Sequence, residues 1–349
     1  MRVVIFGGTG NVGTSVLEAL SQESAVEEVV AVARRPSSRS YPRTKFVTAD
    51  IADGDLVPIV RGADAVVHLA WLIQPGRNEK ITRAVNVEGS ERVFRAAVEA
   101  GVPKLVYASS VGAYSPGPKD RFVDESWPTD GIASSFYARH KAEVERLLDR
   151  LEREQPELRV VRMRPGLIFK REAATEIRRL FIGPFLPRAL VRAELIPIVP
   201  DTPRLRFQAV HSLDVGDAYR RAVVSDTHGA FNLAAEPPIG VRELAELLHS
   251  RPLKVPAAVL RAVASASYAL RLQPSEPGWL DMGLSVPLMS SERAHRELGW
   301  EPRVSATDAL AELIAGIREG ADEKTPPLAR ASSGPARLRE LVTGLGSRP

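Results

Sequence analysis

The run Val3-Val4-Ile5-Phe6-Gly7-Gly8-Thr9-Gly10-Asn11-Val12-Gly13 constrains this chain more than any other stretch. Four apolar residues with strand character meet a glycine-built turn, and a helical pattern over Thr14–Ser21 follows at once. A pyrophosphate must touch backbone N–H groups at the amino end of a helix, and side chains there would block it. Two glycine registers coincide: Gly8, Gly10, Gly13 and Gly7, Gly10, Gly13. A lone glycine pattern is weak evidence, because glycines also make tight turns. Between an amino-terminal strand and an amphipathic helix it points to dinucleotide binding. The expected contacts are Gly7, Thr9, Gly10, Asn11, Val12 and Gly13.

The first half then alternates short β-rich runs with helical patterns. Strands are predicted at Val3–Phe6, Val29–Ala33, Lys45–Thr48, Ala65–Leu69, Leu105–Tyr107 and Arg159–Arg162, with helices at Thr14–Ser21, Ile81–Ala100 and Ser135–Arg153. Apolar strands separated by helices imply an α/β fold, a doubly wound parallel sheet of the Rossmann type. After Pro165 prolines crowd the chain, then mostly helical patterns run over 241–310. Residues 1–165, with 208–230 returning, form the expected dinucleotide-binding domain. Residues 166–207 and 231–318 form a smaller, mostly helical substrate lobe, and 319–349 a flexible tail with one short helix possible at 336–345.

Composition narrows the function classes. The 349 residues contain no cysteine, so thiolate catalysis, disulfides and cysteine zinc sites are excluded. His68, His140, His211, His228, His249 and His295 do not pair at metal-ligand spacing, so no metal is expected. The net charge is only +4, without a basic stripe, which argues against nucleic acid. Few apolar residues follow Arg2 before the glycines, so no signal peptide is expected and the cytoplasm is the default compartment. The stretch Val255 to Leu270 is too short and mixed to span a bilayer. A core-facing helix is expected there, with an interfacial membrane contact as the alternative.

An acidic residue about 20 positions past the loop would bind the ribose 2′-hydroxyl of NAD. The sequence instead reads Ala33-Arg34-Arg35-Pro36-Ser37, and guanidinium groups suit a 2′-phosphate. NADP is therefore expected before NAD, against the alternative of a solvated basic loop. Asp50, followed by Ile51, either bonds the adenine amino group or caps a helix over 54–61. Tyr137 and Lys141 fall one turn apart on one helix face, where an ammonium would lower the phenol's pKa toward working pH. Ser109 and Ser110 end a strand at the sheet's carboxyl edge, where ligands bind.

Together these residues resemble the extended short-chain dehydrogenase/reductase family, of the NAD-dependent epimerase/dehydratase type, over about residues 1–315. The resemblance implies Ser110, Tyr137 and Lys141 as catalytic residues. It also places His68-Leu69-Ala70-Trp71 against an HLAA segment, so that Leu69 and Ala70 line the cofactor, and sets Pro165 of Arg164-Pro165-Gly166 beside the nicotinamide. Asn86 matches a helix motif that supports the fourth strand. Leu298-Gly299-Trp300-Glu301-Pro302 and Val210-His211-Ser212-Leu213-Asp214-Val215 match structural segments, with His211 as a packed residue.

Departures limit the activity. Val111-Gly112 follow Ser110 where dehydratases of the family carry Asp-Glu, and no Asn follows Arg164-Pro165 to hold a nucleotide sugar. The expectation is an NADP-preferring oxidoreductase acting on a carbonyl or secondary alcohol of a small-molecule substrate. An epimerase with retained cofactor and a non-catalytic dinucleotide sensor are the alternatives. The family also uses helices 79–100 and 135–153 for a four-helix dimer; here their surfaces read as charged (Glu143, Glu145, Arg146, Asp149, Arg150), and a homodimer is plausible. In the lobe, Trp279, Met282, Met289, Phe181, Phe185 and Phe207 either line an apolar pocket or pack internally. Arg178, Arg179, Arg188, Arg192, Arg204 and Arg206 read as a solvated surface before an anion site.

Overall fold

The computed structural model describes residues 1–35, 37–73, 77–178 and 197–328. Seven strands form one sheet: β1 (Arg2–Phe6), β2 (Glu28–Ala33), β3 (Thr44–Thr48), β4 (Ala65–His68), β5 (Lys104–Ala108), β6 (Arg159–Pro165) and β7 (Gly229–Leu233). Their spatial order is β3-β2-β1-β4-β5-β6-β7, and every pairing is parallel. The order reverses between β1 and β4, which opens a crevice at the carboxyl edge.

Strand β1 explains why these runs are continuously apolar. Val3 and Ile5 join one buried cluster, Val4 and Phe6 the other, and all four are fully buried. Helices α1 (Asn11–Ser21) and α4 (Ser212–Val224) cover the first face. Between them in the chain, α2 (Gly89–Glu99) and α3 (Phe136–Glu154) cover the second.

The return segment runs from Ser212 to Leu233, because Arg206–His211 pairs with the lobe instead. There it lies between strands Leu167–Phe169 and Ala235–Gly240 in a three-stranded sheet. A second small sheet pairs Ile198–Asp201 with Arg251–Lys254. Prolines inside these strands, Pro237, Pro238 and Pro252, hid them in a region read as helical or irregular. Helices Val241–Leu248, Ala257–Ala269, Gly278–Ser285 and Ala306–Glu319 complete the described lobe, whereas Glu292–Leu298 packs Ala294 and Leu298 into the core of the main sheet.

Two expectations are corrected here. Helix Ala257–Ala269 has no buried residue, so it does not face a core. Past Glu319, Thr325 and Leu328 are buried and Glu323 pairs with Arg39 and Lys170, so this part of the expected tail packs on the body. The helix over 336–345 lies outside the described residues, as do Arg179, Phe181, Phe185, Arg188 and Arg192. No described helix is long and apolar enough to cross a membrane.

The segments around Asp214 and Trp300 lock together. Trp300 is fully buried and its indole N–H donates to the Asp214 carbonyl at 2.7 Å, while Asp214 Oδ2 accepts from the N–H groups of Arg303 and Val304 at 3.0 and 3.1 Å. Replacing Asp214 with Ala strands both donors and should cost about 1–3 kcal/mol. Urea unfolding tests this as a lower midpoint at unchanged slope.

Candidate active site

The glycine loop sits at the crevice. Gly7 has φ +89°, and a Cβ there would lie 2.7 Å from the Ala70 nitrogen, so no side chain fits between the ends of β1 and β4. At Gly13 a Cβ would stand 2.3 Å from the Gly7 carbonyl oxygen, which lets α1 close onto the loop. Gly10 faces open space apart from that oxygen at 3.6 Å, and no side chain caps α1. Asn11 Oδ1 is buried without a partner, although its Nδ2 donates to the Ile168 carbonyl at 3.2 Å. An uncapped helix terminus behind open glycines fits a dinucleotide's pyrophosphate.

At the ends of β2 and β3 the chain exposes Arg34 and Arg35. Asp50 closes a turn by accepting from the Ala52 N–H at 3.0 Å, so it does not cap a helix over 54–61; the helix there spans only Val57–Val60. Arg92 of α2 donates to the Ile51 carbonyl at 3.1 Å and fixes this loop.

After β4, Leu69 and Ala70 pass close to Gly7. Buried Asn86 holds the next residue but one, with Oδ1 accepting from the Leu72 N–H at 2.7 Å and Nδ2 donating to the Leu72 carbonyl at 2.8 Å. Asn86 sits in a π-helical turn, Ala84–Glu88, of the kind that often marks functional sites.

Ser110, Tyr137 and Lys141 converge at the end of β5. Ser110 Oγ accepts from the Gly112 N–H at 3.0 Å, and its hydroxyl lies near enough to the Tyr137 phenol to favour the charged form. Ser109 instead donates to Glu145 Oε1 at 2.5 Å, which leaves Ser110 as the hydroxyl beside the phenol. Lys141 Nζ donates to the Ala108 carbonyl at 2.5 Å and lies 3.4 Å from the centre of the Trp71 ring. Trp71 and Trp279 flank Tyr137, with ring centres 5.8 and 4.8 Å away.

The electrostatics correct one expectation. Burial pushes the Tyr137 phenol up to about 12, and the nearby Ser110 hydroxyl opposes it only in part. Lys141 does not bring the phenol toward neutrality here: its Nζ is 5.7 Å from the Tyr137 ring centre, and burial drives the amine well below its ordinary value, with Glu145 opposing.

Glu145 departs furthest from its reading as a surface charge, being fully buried. Its carboxylate accepts from Arg164 Nε and Nη2 and from Arg162 Nη1, each at 2.9 Å. Arg162 also pairs with Asp149 at 2.6 Å, so that carboxylate too is engaged within the chain. Burial raises Glu145, but Arg164 and Arg162 outweigh it and hold the carboxyl at about 2. A readable signal existed: two arginines at alternate positions of an apolar strand must share a buried counter-charge. Trp71, at the second Ala of the HLAA pattern, was the other missed group.

The remaining lobe candidates divide. Met282 is buried beside Tyr137 in one apolar cluster with Trp279, whereas Met289 and Phe207 pack elsewhere in the interior. Arg204 donates to the carbonyls of Leu284 and Gly117, and Arg206 to that of Lys119. His211 is buried, and its Nδ1 accepts from the Leu213 N–H, so it packs at the start of α4.

Fold and crevice thus define a dinucleotide-binding α/β protein. The chain belongs to the NAD dependent epimerase/dehydratase family, whose profile matches residues 3–234. An uncharacterized protein of Mycobacterium tuberculosis is 27% identical over 323 residues; the match takes in 91% of this chain but spans only 30% of that protein. A 3-beta-hydroxysteroid dehydrogenase of Mycolicibacterium neoaurum is 26% identical, with 90% of each chain covered. The UDP-glucose 4-epimerase of Thermus thermophilus, solved as a complex with NAD, shares the fold at TM-score 0.66 and 21% identity, covering 91% of this chain and 99% of that one.

Glu145 also makes a pH prediction. Its folded pKa lies below the ordinary 4.5, so its contribution is present above that value and is lost as pH falls through about 2. Glu145→Gln leaves the buried Arg164 guanidinium without a counter-charge, while Arg162 keeps Asp149 and Glu152, and should cost roughly 3–5 kcal/mol at neutral pH. Urea unfolding of both proteins should show the gap narrowing toward acid.

Proposed function

We propose that the chain is a cytoplasmic, NADP(H)-preferring oxidoreductase acting on a carbonyl or secondary alcohol of a small molecule, with Tyr137 as general acid/base. The observation that supports this reading is the convergence of Ser110, Tyr137 and Lys141 at the end of β5, with the Ser110 hydroxyl near the phenol and Lys141 Nζ 5.7 Å from its ring centre. Gly7, Thr9, Gly10, Asn11, Val12 and Gly13 would hold the pyrophosphate, Arg34 and Arg35 the adenosine phosphate, and Asp50 and Ile51 the adenine. Leu69, Ala70, Lys141 and Pro165 would hold the nicotinamide half. The bound coenzyme supplies or accepts the hydride.

The chain's own part is proton management. With its pKa at about 12, Tyr137 keeps its proton at neutral pH and is poised to give it to a carbonyl oxygen. Ser110 orients that oxygen, and water returns the proton to the phenolate. Val111-Gly112 offer no acid or base for eliminating water. Exposed arginines after β2, with no carboxylate among Arg34, Arg35 and Ser37, support a 2′-phosphate partner. A homodimer through the helical faces at 79–99 and 136–154 is also proposed. Arg83–Glu143 and Arg139–Glu79 pairs already neutralise charge there.

Tyr137→Phe should lose about a hundred- to ten-thousand-fold in turnover of a carbonyl substrate at nearly unchanged coenzyme affinity. Normal turnover would remove Tyr137 from the chemistry. Nucleotide retained through purification, with no need for added coenzyme, would reassign the protein as an epimerase. In side-by-side titrations NADPH should bind more tightly than NADH, and Arg34→Ala with Arg35→Ala should weaken NADPH about 10- to 100-fold. Tighter NADH binding would overturn the arginine argument.

A further inference from the structure

Helix Ala257–Ala269 presents its apolar stripe outward. Val259, Ala262, Val263, Ala266 and Leu270 recur at helical spacing on the exposed side; Val263 is 62% and Leu270 69% exposed. Leu253 and Leu272, at the two ends, are also half exposed. The opposite side is tied down by polar contacts. The Arg77 guanidinium lies 3.9 Å from the Tyr268 ring centre, and Arg261 pairs with Asp281 at 2.9 Å.

Charge decides what such a face suits. From Arg251 to Ser275 the chain carries Arg251, Lys254, Arg261 and Arg271 and no carboxylate. Only Arg261 of these four is ion-paired among the described residues. A second copy docked by a twofold axis would bring the same cations together without acids to neutralise them. Arg251 shares a strand face with exposed Leu253, whereas Lys254 points to the other face beside Asp201. An apolar stripe preceded by Arg251 and followed directly by Arg271, with no carboxylate on the helix, complements anionic headgroups above an acyl layer.

We propose that helix Ala257–Ala269, with Arg251 and Arg271, is a docking face for an anionic lipid surface. The face is peripheral and spans nothing. It adjoins helix Gly278–Ser285, which carries Trp279 beside Tyr137, so docking sets the crevice close to the bilayer. The proposal is independent of the hydride chemistry.

Vesicle co-sedimentation of the full chain tests it. The protein should bind vesicles of phosphatidylglycerol mixed equally with phosphatidylcholine, bind pure phosphatidylcholine far more weakly, and release as salt rises. Arg251→Gln and Arg271→Gln should each lower partitioning about fivefold. Val263→Asp with Leu270→Glu should abolish it while the urea midpoint stays unchanged, because both positions are exposed. Equal binding to both vesicle types, or no binding to either, would overturn the proposal. So would a dimer that the Val263→Asp pair disperses without any vesicle binding, which would give the face to a second copy.

Discussion

The buried carboxylate of Glu145 is the constraint on which the candidate site depends. It stands one turn beyond Lys141 and two beyond Tyr137 on α3, so anchoring it fixes the rotation of the helix. Its bonds reach Ser109 at the end of β5 and Arg162 and Arg164 on β6. Three elements that share no local sequence are thereby held in one register. The same bond withdraws Ser109 and turns its neighbour toward the phenol. Such a carboxylate remains charged because guanidinium groups face it, and the second positive charge is offset by Asp149 and Glu152 at Arg162.

The parallel sheet was legible because its physics is local. Four-residue apolar runs need cover on both faces, and the intervening amphipathic stretches supply that cover. The predicted strand starts at Val3, Val29, Lys45, Leu105 and Arg159 fall within one residue of those observed. The glycine loop was legible for the same reason. What stayed hidden depends on partners distant in sequence. Glu145 reads as a surface charge until β6 is laid beside α3, and Ala235–Gly240, inside a lobe read as mostly helical, becomes a strand only where Arg206–His211 pairs with it.

The phenol's acidity is a further case. Spacing alone put an ammonium near Tyr137, but spacing cannot weigh attraction against burial. In the folded chain both groups lose water, and each shifts toward its neutral form. The pair is set to hold a proton until something polar arrives between its members. Helix Ala257–Ala269 shows the same limit, since its apolar run gives no clue whether it turns inward or outward.

Trp71 and Trp279, two of the chain's four indoles, bracket the Tyr137 ring. Anything planar entering the crevice therefore meets an aromatic surface whose emission is sensitive to polarity and to nearby absorbers. The molecule carries its own optical gauge of occupancy, and a spectrofluorometer can follow ligands in and out without a label or a coupled assay.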